Sequence, residues 1–102
     1  MNRNRIELFG KVTCAPEMRA TPTGTPVMRI ELDCGEGREA LRLGVVMIGE
    51  GAREIGGRIS AGAAVKVTGT LRAVRGRLWP SAASGIEVLA SEVSEVAAGA
   101  GL

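Results

Sequence analysis

Histidine is absent from the 102 residues, and Phe9 and Trp79 are the only aromatics. Without an imidazole there is no Ser-His-Asp triad, and neither cysteine has a histidine base to activate it. A protein-built zinc site also loses its usual nitrogen ligand. The two cysteines, Cys14 and Cys34, stand far apart in the chain. They read as small buried hydrophobes, with a disulfide as the minor alternative. No apolar run reaches the length of a membrane span, and residues 1–9 do not resemble a signal peptide, so the cytoplasm is the expected location. There is no Gly-rich phosphate loop of the nucleotide-binding kinds and no carboxylate pair in a recognisable acid–base setting. A non-enzymatic protein is expected, with no cofactor and no metal.

What the chain does have is glycine, fifteen of them, which points to turns and bends rather than long helices. Thirteen Lys and Arg against eleven Asp and Glu leave a formal charge of +2, mildly basic and not diagnostic of a nucleic-acid partner. The length suits one domain with one core.

Apolar and polar residues alternate along residues 4–14. Ile6, Leu8, Gly10 and Val12 fall on one face, and Arg5, Glu7, Phe9, Lys11 and Thr13 on the other. Gly10 suits the bend of a strand coiling around a small barrel. Residues 20–26, rich in proline and threonine, read as a turn. A second strand over residues 27–34 turns Met28, Ile30 and Leu32 inward, and residues 35–37 are a short hairpin connection. A third strand is expected from about Glu39 to Ile48, its second half buried on both sides. Ala52, Ile55 and Ile59 then change to helical spacing, although Gly56 and Gly57 each cost about 1 kcal/mol relative to Ala in a helix. A fourth strand over residues 64–74 buries Val65, Val67, Gly69 and Leu71; residues 75–81 are loop-like, and a fifth strand spans residues 86–96. Residues 1–96 thus form one domain, and residues 97–102 read as a short flexible tail. The order strand, strand, strand, helix, strand, strand predicts an all-β fold, a five-stranded OB-fold Greek-key barrel with one short helix between strands three and four. Periodicity alone also admits an SH3-like barrel or a small sandwich.

Residues 4–12, Asn-Arg-Ile-Glu-Leu-Phe-Gly-Lys-Val, followed by Pro16-Glu17-Met18-Arg19 and Thr21-Pro22-Thr23-Gly24, resemble the opening of the bacterial single-stranded-DNA-binding protein family. Val45-Val46, Gly49, Ala52, Ile59, Gly62, Val65, Val67, Gly69, Leu71 and Arg72 continue the family spacing without a gap, and beyond Arg75 the match is loose. The replicative members carry a long tail with an acidic, apolar tip, and this chain ends at Gly101-Leu102 without one. In that respect it is similar to a relative of about this size, primosomal replication protein N, and the two kinds of member are not separable from the sequence. The resemblance implies an OB fold, a role in DNA replication, repair or replication restart, single-stranded DNA as partner, a homo-oligomer (dimer or tetramer) and replication or primosome proteins as further partners.

Binding a single strand without sequence preference needs cations along the phosphates and flat groups against the bases. The resemblance points to Arg19, Arg29, Arg42, Lys66, Arg72, Arg75 and Arg77 as the cations and to Trp79 as the stacking candidate. Trp79 lies in the loop joining strands four and five, one of those OB folds use for nucleic acid; capping the barrel or filling a subunit contact is the equal alternative. Phe9 stacks or packs against a partner subunit. Arg42 stands where the family commonly has a tryptophan, and Ile48 where it commonly has a phenylalanine. Stacking is therefore depleted, and an electrostatic interaction with a steep salt dependence is expected. The same depletion leaves open an OB module that has lost DNA and binds protein.

Overall fold

The structure, a computed structural model, describes residues 3–35, 37–74 and 85–96. Six strands and one helix follow in order: β1 (Ile6–Val12), β2 (Glu17–Ala20), β3 (Pro26–Cys34), β4 (Leu41–Ile48), α1 (Glu50–Gly56), β5 (Ala64–Ala73) and β6 (Ile86–Glu95). One turn of 3-10 helix, Gly37–Glu39, precedes β4.

Five strands close a barrel in the order β1-β5-β6-β4-β3, completed where β1 meets β3 at Lys11↔Asp33 and Val12↔Leu32. The β4–β6 pairing is parallel, over Gly44↔Glu87, Val45↔Val88 and Val46↔Leu89, and the remaining ladders are antiparallel. This is the mixed barrel of the OB fold, with its short helix between the third and fourth barrel strands.

The period-two pattern places the core as expected. Val12, Met28, Ile30, Leu32, Val45, Val65, Val67 and Val88 are buried together inside the barrel. Each such side chain contributes about 1.5–3 kcal/mol through its removal from water. Gly10 marks the point at which β1 leaves β5 for β3. A Cβ there would lie 2.6 Å from the Asp33 carbonyl oxygen and 2.9 Å from Cys34 Sγ, so the crossing needs glycine for close approach.

Several local features differ from expectation. α1 has seven residues because Gly56 and Gly57 end it, so its apolar face keeps Ala52, buried, and Ile55, partly buried, while Ile59, expected on the helix, is buried beyond its end. The third barrel strand starts at Leu41 rather than Glu39, after the 3-10 turn. A short strand, β2, was not expected and overlaps the expected turn only at Ala20; its four exposed residues pair with β3 from Glu17↔Arg29 to Ala20↔Pro26. Val45 and Val46 are buried as expected, whereas Ile48 is half exposed. Leu71 is also more exposed than its inward parity suggests. The expected tail, residues 97–102, lies outside the described residues.

Candidate nucleic-acid interface

With Met28, Ile30 and Leu32 inside, alternation turns Arg29, Glu31 and Asp33 to the outer face of β3. Register then assembles a charged surface around them. Arg29 stands between Glu17 of β2 and Val46 of β4. Glu31 stands opposite Gly44, which is in turn opposite Glu87 of β6, itself opposite Arg72 of β5. Asp33 lies between Lys11 of β1 and Arg42 of β4. On the neighbouring part of the barrel Phe9 and Lys66 are cross-strand partners, both turned outward.

Five of the eight candidate residues, Arg19, Arg29, Arg42, Lys66 and Arg72, thus share the outer surface of the barrel. Arg75, Arg77 and Trp79 lie outside the described residues. The surface is not a purely basic strip. Arg19 approaches Glu17 at 3.9 Å, Arg42 approaches Glu31 at 3.8 Å and Lys66 approaches Glu7 at 3.5 Å. These three pairs are solvent-exposed and individually worth about 0–1 kcal/mol. The fourth is different: Arg72 Nε donates to Glu87 Oε2 at 2.8 Å, and Glu87 is the one buried charged residue among the described residues.

Arg29 alone of the five makes no hydrogen bond or ion pair among the described residues. Its Nε is buried without an acceptor. The guanidinium extends over Gly44, with one terminal nitrogen 2.8 Å from the position a Cβ would take there. Gly44 was not among the sequence candidates, since its importance comes from the β3–β4 register. Lys11 is another cation that the candidate set omitted, although it shares outward parity with Phe9; it is exposed and carries no carboxylate pair among the described residues.

The ion pairs bear on salt dependence. When an arginine leaves a carboxylate for a phosphate, the freed carboxylate takes up a cation as the phosphate gives one up. Net counterion release falls, so a shallower slope is expected than a row of free cations would give.

Two open concave features lie among the described residues. An open groove of about 520 Å³ runs between β2 and α1, lined by Met18, Arg19, Pro26, Arg53 and Gly56. Another of about 440 Å³ lies at the bulge between Thr68 and Gly69, lined by Arg5, Thr70, Leu89 and Ser91. Among the described residues no group of three His, Cys, Asp or Glu side chains is placed to hold a metal, and no helix is long and apolar enough to cross a membrane. Burial, and secondarily the Asp33 carboxylate, push the Cys34 thiol above its ordinary range.

No curated protein matches the chain. The model of the single-strand binding protein family matches residues 3–92, from before β1 to within β6. The match covers nearly all of the barrel that carries this surface, and the chain therefore belongs to the single-strand binding protein family, whose members bind single-stranded DNA.

Proposed function

We propose that this protein binds single-stranded DNA, without enzymatic activity, along the outer face of β2, β3 and β4, reaching the outward residues of β5 across β6 and β1. Its setting is DNA replication, repair or replication restart in the cytoplasm, with replication or primosome proteins as partners. Membership of the family carries the reading. The outward arginines of the face support it, because guanidinium groups meet phosphates as forks and can also lie against bases. Arg19, Arg29, Arg42 and Lys66 face the strand, and Arg72 adjoins it from its pair with Glu87. Arg75, Arg77 and Trp79 extend the interface, with Trp79 stacking on a base. A homo-oligomer accords with the exposed edge strand β2, since free sheet edges favour covering.

A second reading, an OB module that binds protein in place of DNA, draws on the pairing of four of the five described candidate cations with carboxylates. The test is a titration with oligothymidine, following anisotropy of the labelled strand and fluorescence of the sole tryptophan at low and moderate salt. Binding with quenching supports the DNA reading and puts Trp79 at the strand. Binding without quenching keeps the function and removes Trp79 from the interface. No binding at low salt favours the protein-interaction module.

A further inference from the structure

Arg29 occupies the middle of the charged face and is the candidate cation there without an intramolecular partner among the described residues. Three carboxylates surround it by register: Glu17 opposite on β2, Glu31 two residues on along β3, and Glu87 beyond Gly44. Each is engaged by a different arginine, Arg19, Arg42 and Arg72 respectively. Their charges are therefore locally balanced, and among the candidate cations the uncompensated positive charge of this patch resides on Arg29. A polyanion crossing the face meets its strongest attraction there.

The local geometry has a second consequence. Burying Nε without an acceptor carries a desolvation penalty in the free protein. A ligand oxygen that draws the guanidinium outward brings that donor into hydrogen-bond reach and relieves the penalty, so the bound state gains what the free state lacks. Gly44 makes the arrangement possible. Any side chain at that position would press on the guanidinium, whose Nη2, Cζ and Nε lie 2.8, 3.4 and 3.5 Å from the Cβ position.

We infer that Arg29 is the anchoring phosphate contact of the face, and that Gly44 is the positioning residue that lets its guanidinium lie at the centre of three balanced ion pairs. The inference rests on the single-stranded-DNA reading above. It ranks Arg29 ahead of the four paired cations and assigns it the phosphodiester rather than the base.

The experiment compares the wild-type chain with Arg29→Gln, Arg29→Lys and Gly44→Ala, and with Arg58→Gln, just beyond α1 and paired with Glu54, as a control away from the face, by anisotropy of labelled oligothymidine. Circular dichroism establishes that each variant is folded. Arg29→Gln is expected to weaken binding at low salt about tenfold and to flatten the logarithmic salt slope by about 0.7, the value for one phosphate on a single strand. Arg29→Lys retains the slope and recovers part of the affinity, because the charge remains and the fork is lost. Gly44→Ala keeps the charge and the slope but weakens binding by displacing the guanidinium. An oligothymidine with neutral methylphosphonate linkages should not distinguish wild type from Arg29→Gln. If it does, Arg29 meets a base and the phosphate assignment is overturned. An Arg29→Gln protein that binds as tightly as Arg58→Gln overturns the inference while leaving the DNA reading intact. Absence of binding by the wild-type chain removes the reading and the inference together.

Discussion

Arg72 and Glu87 form the buried ion pair of the barrel, with Arg72 Nε donating to Glu87 Oε2 at 2.8 Å where β5 runs beside β6. Glu87 also faces Gly44 across the β4–β6 junction, so the pair sits beside the barrel's parallel ladder. The two partners are unequally buried, with side-chain exposures of 26% for Arg72 and 6% for Glu87. Removing Arg72 leaves a carboxylate in the interior without its cation, whereas removing Glu87 leaves a guanidinium that can turn to water. Arg72→Ala is therefore expected to destabilise the fold by about 3 kcal/mol, and Glu87→Ala by clearly less. Urea denaturation of both variants checks the order; equal losses would contradict it.

Asn4 holds the start of β1 to the end of β5 through its side chain. Its Nδ2 donates to the Leu71 carbonyl at 2.6 Å, and its Oδ1 accepts from the Leu71 N–H at 2.9 Å. The amide thus continues, two residues on, the ladder that pairs Ile6 with Gly69. Asn4→Ala should lower stability by about 1 kcal/mol, because the site is exposed and water replaces much of what is lost. Faster amide exchange at Leu71 would accompany it, and unchanged exchange there would count against the clamp.

The carboxylates of the outer face compete with DNA for their arginines. Glu31→Gln frees Arg42 from its 3.8 Å pair. Tighter binding of oligothymidine at low salt is expected, with a salt slope steeper by up to about 0.7. A Glu31→Gln protein with unchanged affinity and slope would show that Arg42 does not meet the strand.

Cys14 is exposed, whereas Cys34 is partly buried and its thiol is held above the ordinary range by burial and then by Asp33. The thiolate is the reactive form, so at mildly alkaline pH iodoacetamide should modify Cys14 first and Cys34 slowly. The folded state holds the Cys34 proton more tightly than the unfolded chain does. Its contribution to stability is present below the unfolded thiol's range and is lost as pH rises through that range and up to the raised value. Mass spectrometry of the peptides after timed alkylation gives the order, and equal rates would contradict the burial argument.

The barrel was legible because strand alternation is a local signal. Ile6, Leu8, Gly10 and Val12 shared a face in the sequence, and they share it around the core. The helix was legible from Ala52 and Ile55, but two glycines end it before Ile59, which the same spacing had placed on it. β2 was not, because Glu17, Met18, Arg19 and Ala20 are all exposed and show no alternation; β3 recruits them through backbone pairing. The cations of the face could be named from outward parity, but their partners could not. Glu31 meets Arg42 diagonally across β3 and β4, Lys66 meets Glu7 across β1 and β5, and Arg72 meets Glu87 across β5 and β6. Each pairing follows from a register that no single segment encodes. The expectation of a steep salt dependence assumed free cations, and the ion pairs shift it toward a shallower one. Gly44 shows the same limit: in the sequence it is one glycine of fifteen, and only the β3–β4 ladder brings Arg29 over it.

The most direct test of the account is nuclear magnetic resonance of the isotopically labelled protein during titration with oligothymidine, because it reports which surface meets the strand. Shifts are expected to concentrate on Arg19, Arg29, Arg42 and Gly44 of β2, β3 and β4, with the Arg29 side-chain Nε–H among the largest changes. Shifts confined to α1, or no shifts at low salt, would contradict the assignment of the outer face as the DNA-binding surface.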